Sequence, residues 1–161
     1  MKKNMVVVLT MFTFFLTGCS FTKSFTFNVG TGDKIEISLK TKSGEKYDIF
    51  PSAPVKITKD DITVGVIGFC TYEEYVNNIS IIRNIEGYTI LEEGENNGVA
   101  FILFKFENEN KIQFGYNALV KNSMTGIVFE NNISQESLKE AFEHLTFKNK
   151  ILIQWVNVIF L

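Results

Sequence analysis

The chain has 161 residues, 16 of them basic and 18 acidic, for a net charge of −2. That balance excludes a protein that binds nucleic acid through a basic surface, and it offers no polybasic patch for gripping anionic lipid. One histidine and two cysteines are too few for a histidine–cysteine zinc centre.

Lys2 and Lys3 open the chain, and an uncharged, mostly apolar run extends from Met5 to Leu16. A basic start, a short apolar stretch and small residues after it describe a secretory signal peptide. The run is too short to cross a bilayer, which takes roughly 20 apolar residues. Leu16-Thr17-Gly18-Cys19 resembles the lipobox of bacterial lipoproteins. The resemblance implies cleavage before Cys19 and acylation of Cys19 by palmitate-type chains. Each buried CH₂ is worth about 0.8 kcal/mol, so two or more chains hold a protein on the membrane. Loss of residues 1–18 removes two lysines and no acid, taking the net charge from −2 to −4.

Residues 19–32 are rich in Ser, Thr, Gly and Phe and read as a lipidated tether that can end in a first strand. A single domain is expected over residues 33–149. Lys34 to Lys40 alternates, with Ile35, Ile37 and Leu39 on one face. Lys42-Ser43-Gly44-Glu45 is a turn, and Tyr47 to Phe50 is expected to pair back. Pro51 and Pro54 break the chain. Val55 to Thr58 and Ile62 to Phe69 read as a hairpin around Lys59-Asp60-Asp61, and the second strand is apolar on both faces.

Thr71 followed by Glu74 makes a capping box for a first helix. Tyr72, Tyr75, Val76, Ile79 and Ile82 recur at helical spacing and predict one buried stripe, with the helix ending near Asn84. Four strands follow: Tyr88 to Glu92, Gly98 to Phe106, Ile112 to Val120 and Ile127 to Glu130. The second of them is apolar on both faces. Ser134 caps a second helix, with Ile133 and Leu138 placed as a hydrophobic staple and Leu138, Ala141, Phe142 and Leu145 as its inward stripe. Leu145-Thr146-Phe147 reads as a short final strand or a packed exit segment.

The expected fold class is α+β, an antiparallel sheet flanked by helices. From residue 55 to 147 the order resembles the PsbP/Mog1-like family of α/β/α sandwich domains. Thr71-Tyr72-Glu73-Glu74-Tyr75, Glu86-Gly87-Tyr88-Thr89-Ile90-Leu91-Glu92-Glu93, Asn97-Gly98-Val99-Ala100 and the stretch from Ser137 to Phe147 carry the likeness. The family occurs widely in small bacterial lipoproteins and has no shared active site. It implies a role in assisting or stabilising larger assemblies, and no functional residue is transferred. The tail, residues 150–161, departs from the family pattern. A second membrane contact with Trp155 at headgroup level, packing on the domain and an unselected terminus are all open readings.

Little in the chain points to catalysis. Cys70 follows Val66-Ile67-Gly68-Phe69 and reads as a small buried hydrophobe. The alternative, a nucleophilic thiol, needs His144 as its base. His144 near the end of the second helix reads as a helix-end cation. No Gly-x-Ser-x-Gly elbow or phosphate loop is present. Glu92, Glu93 and Glu95, expected in a strand-exit loop, and Asp60-Asp61 in a turn read as solvated charges; a weak calcium site at the three glutamates is the open alternative. Asn78 and Asn132 match a glycosylation sequon that has no use in a bacterial lipoprotein.

These readings lead to a membrane-anchored extracytoplasmic lipoprotein without enzymatic activity, metal or cofactor. Its expected partners are the membrane, through lipid on Cys19, and an envelope protein or assembly that it binds as an accessory module. A small-molecule or lipid-binding lipoprotein, and a hydrolase with an atypical site, are the alternatives.

Overall fold

The computed structural model describes residues 7–12, by their backbone alone, and residues 20–150. The lipobox Leu16–Cys19 and the tail from 151 to 161 lie outside the described residues. The order is β1 (Val7–Phe12), β2 (Ser20–Asn28), β3 (Lys34–Lys42), β4 (Tyr47–Phe50), β5 (Val55–Lys59), β6 (Ile62–Thr71), α1 (Tyr72–Asn84), β7 (Tyr88–Asn96), β8 (Val99–Asn108), β9 (Lys111–Val120), β10 (Thr125–Asn131), α2 (Gln135–Glu143) and β11 (Leu145–Asn149). This is an α+β fold, and every strand pair is antiparallel.

The strands form two sheets rather than the single expected one. The smaller has the order β1-β2-β3-β11 and the larger β4-β5-β6-β10-β9-β8-β7. The turn at 42–45 therefore does not fold β4 back on β3. It carries the chain from one sheet to the other, where β4 pairs with β5. The segment expected as a tether is the strand β2. It pairs with β3 from Ser20 to Asn28, because Phe25 and Phe27 alternate onto the face that also buries Ile35, Ile37 and Leu39. Val7–Phe12, inside the expected leader, runs antiparallel to the other edge of β2.

The main core lies between the smaller sheet, α2 and one face of the larger sheet. At its centre Phe142 of α2 stacks on Tyr116, with ring centroids 4.0 Å apart, and meets Phe101 edge-on at 5.5 Å. A second cluster, Ile82, Ile102 and Phe104, lies on the opposite face under α1. Residues of β8 feed both clusters, which is why Val99 to Phe104 show no polar face.

Both helix starts match their sequence signals. Thr71 and Glu74 close the capping box, and the Ser134 side chain accepts from the Ser137 N–H. The stripe on α1 is not buried as expected. Ile82 alone is buried, while Tyr72 and Val76 are exposed, because the helix crosses only part of the larger sheet. Ile133 is also exposed, so the Ser134 bond rather than a staple holds that helix start. No helix among the described residues is long and apolar enough to cross a membrane.

Candidate functional site

The residues weighed for catalysis do not come together. Cys70 ends β6 on the α1 side, packed so closely that a Cβ on Gly126 would fall 2.6 Å from its sulfur. Burial, and after it the charge of Glu74, pushes its thiol up to about 11, so it stays protonated and unreactive near neutral pH. His144 is the C-cap of α2, and its Nδ1–H donates to the Lys40 carbonyl at 2.7 Å. Its ring lies 4.4 Å from that of Tyr47. The thiol faces α1 and the imidazole packs beside β4, so no nucleophile–base pair forms.

The three glutamates are not in a loop. β7 continues to Asn96, since pairing with β8 offsets the poor strand propensity of Glu92 to Glu95. Glu92 bonds Lys139 of α2 at 2.7 Å, Glu93 bonds Arg83 of α1 at 2.9 Å, and Glu95 bonds Lys121 at 2.7 Å. α1 and α2 cover opposite faces, so these carboxylates diverge. No group of three His, Cys, Asp or Glu side chains among the described residues is arranged to hold a metal ion.

Two further polar groups serve the fold. Lys59 bonds both oxygens of Glu140, at 2.7 and 2.9 Å, and sits 5.2 Å from the centre of the Tyr47 ring. Burial, then Glu140, pushes the Tyr47 hydroxyl up to about 12. At the other end of the domain Asp33 accepts bonds from Thr31, Met124, Thr125 and Asn149.

A groove of about 580 Å³ lies between the β2–β3 turn, the loop from β4 to β5, and β6. Val29, Pro54, Val55, Ile67 and Phe69 give it an apolar wall, while Asn28 and Ser52 supply polar groups. Proline chemistry makes the opening. Pro54 has no N–H to donate, and the β5 ladder stops at the Val55–Ile67 pair. β6 runs on beside β10 as far as Thr71. The stretch from Gly68 to Thr71 is thus a strand edge with no β5 partner, and Gly68 lines the groove. Ser52 Oγ donates to the Pro54 carbonyl at 2.6 Å and closes the loop on itself instead of on β6. The prolines and the alternation of β6 were visible in the sequence; that they leave a free edge beside a cavity was not.

The chain matches no family model, and no curated protein or solved structure matches it either.

Proposed function

We propose that the protein is a membrane-anchored extracytoplasmic lipoprotein that acts as a binding module without chemistry of its own. Its groove takes an extended apolar segment of another envelope component, and the edge of β6 that has no strand partner among the described residues adds backbone hydrogen bonds. The observation that carries this reading is the coincidence of an apolar cavity with a strand edge at Gly68–Thr71. Strand addition draws affinity from main-chain bonds and specificity from neighbouring apolar pockets. The leader and the lipobox support a position on the membrane surface, with lipid on Cys19 as the anchor. The helices on opposite faces of the larger sheet support kinship with PsbP/Mog1-like domains, whose accessory roles agree with a binding function.

The test uses in-cell crosslinking of a tagged chain and two variants. Nothing lies within 4 Å of a Cβ placed on Gly68, so Gly68→Leu adds bulk at the β6 edge without disturbing the core. A discrete crosslinked partner should be present in the parent, reduced in Gly68→Leu and reduced in Cys19→Ala. A partner retained at full yield by Gly68→Leu would remove the β6 edge from the interaction. Recovery of the uncrosslinked protein alone would end the accessory reading.

A further inference from the structure

A second cavity, of about 120 Å³, lies between α1 and the outer face of the larger sheet. Its roof is Asn78 and Ile82 of α1, and its floor is Asn117 of β9, with Tyr88, Phe104 and Glu130 around it. The volume is room for about four waters at their liquid volume. Beside the cavity Gly115 of β9 lets Phe104 and Glu130 close in: a Cβ there would lie 2.5 Å from the Phe104 ring and 3.2 Å from Glu130 Cγ.

Asn117 is 1 % exposed. Its Nδ2 donates to the Tyr75 carbonyl at 3.2 Å, and its Oδ1 is buried with no hydrogen-bond partner among the described residues. The amide cannot profitably turn over, because Oδ1 would then face the Tyr75 carbonyl. A buried acceptor left without a partner is costly, so its retention calls for a donor in the cavity. Glu130 lines the same space, hydrogen-bonded to Gln113, with Lys111 as its nearby base. Lys111 acts on this carboxylate through space and forms no ion pair with it among the described residues, so its charge is only partly offset. The rings of Tyr88 and Phe104, 5.6 Å apart, add two electron-rich faces.

We infer that this cavity is a binding site for a small primary ammonium group, held by Asn117 Oδ1 and Glu130 and bordered by Tyr88 and Phe104. The chemistry is one of donors and positive charge: an amide oxygen, a carboxylate and aromatic faces all favour a compact cation that donates hydrogen bonds. The site is separate from the groove and does not depend on the function proposed for it.

The experiment is a backbone-amide NMR titration of the full chain with methylammonium chloride, ammonium chloride and sodium chloride. Glu130→Gln keeps the shape of the site and removes its charge. The expected result is a saturable shift of the Asn117, Gly115 and Tyr88 amides with either nitrogen cation, absent with sodium and about tenfold weaker in Glu130→Gln. Tighter binding of methylammonium than of ammonium would assign the site to an organic amine head, and the reverse to the free ion. Methylammonium should also raise the melting temperature of the parent more than that of Glu130→Gln. Shifts that rise linearly without saturation, that sodium reproduces, or that Glu130→Gln leaves unchanged would overturn the inference and assign the cavity to water.

Discussion

Thr125 Oγ1 donates a 2.8 Å hydrogen bond to the Asp33 carboxylate, joining the β2–β3 turn to the start of β10 across 92 positions of sequence. The same carboxylate accepts from the Met124 N–H at 2.9 Å and from Asn149 at 3.1 Å. Asp33 thereby ties the end of the smaller sheet, and with it one wall of the groove, to the larger sheet. Burial works against its charge, but the bonds from Thr125, Met124, Thr31 and Asn149 outweigh that and hold its pKa below 3.8. A depressed carboxylate pKa contributes stability that is present above the unfolded value and is lost as pH falls through the folded one. Asp33→Ala should cost about 1–2 kcal/mol at neutral pH, and the gap to the parent should close in acid. Denaturant titrations at a series of pH values measure both; a gap that stays constant into acid would refute the linkage.

Glu130 behaves in the opposite sense. Burial raises its pKa above 4.5, against the opposing effects of Lys111 and Gln113. Its folded form therefore prefers the proton, and the stability this gives is full below the unfolded pKa and lost as pH rises through the folded one. Glu130→Gln should be more stable than the parent at pH 7 and equal to it near pH 4. Equal midpoints at pH 7 would contradict the assignment.

Asn97 and Gly98 form the turn between β7 and β8, both with positive φ, at 55° and 84°. The turn is docked from below: the Phe147 N–H donates to the Asn97 carbonyl at 2.7 Å, and a Cβ on Gly98 would lie 2.0 Å from the Phe147 carbonyl oxygen. Backbone cannot yield as a flexible side chain can. Gly98→Ala should cost at least about 2 kcal/mol, from the clash and the left-handed conformation together. A midpoint within error of the parent would show that β11 can move away.

Phe142 anchors the aromatic core, with Tyr116 stacked on it and Phe101, Phe129 and Phe147 around it. Phe142→Ala should cost about 3–5 kcal/mol and Phe142→Leu about 1.5 kcal/mol or less. Thermal or chemical unfolding distinguishes them; equal losses would mean that ring stacking rather than volume dominates.

Gly68→Leu should leave stability unchanged within about 0.5 kcal/mol, since the position is open and a strand interior prefers a side chain to glycine. A large loss would show that the groove wall is tighter than the geometry indicates, and it would disqualify the variant as a probe of binding.

Local features could be read from the chain directly. Thr71 with Glu74, Ser134 and the turn residues Asp60 and Asp61 act through bonds and dihedrals spanning a few residues, so their neighbours in sequence suffice. The alternation of β3 and the two-sided apolar run of β8 likewise report burial residue by residue, whereas β9 leaves Ile112 exposed and buries Asn117. The candidate sites were far less visible. Cys70 and His144 stood out by type alone, whereas Asn117, Glu130 and Gly68 look like ordinary strand residues until their neighbours are known.

Long-range packing settled the rest. Phe25 and Phe27 make β2 a strand only because β3 lies alongside, and β7 keeps its glutamates extended because Lys139, Arg83 and Lys121 arrive from elsewhere in the chain. The apolar period of α1 correctly marked a helix, but how much of it is buried depends on how far the sheet extends beneath it. Periodicity records which side chains share a face; whether another surface covers that face is a property of elements distant in sequence.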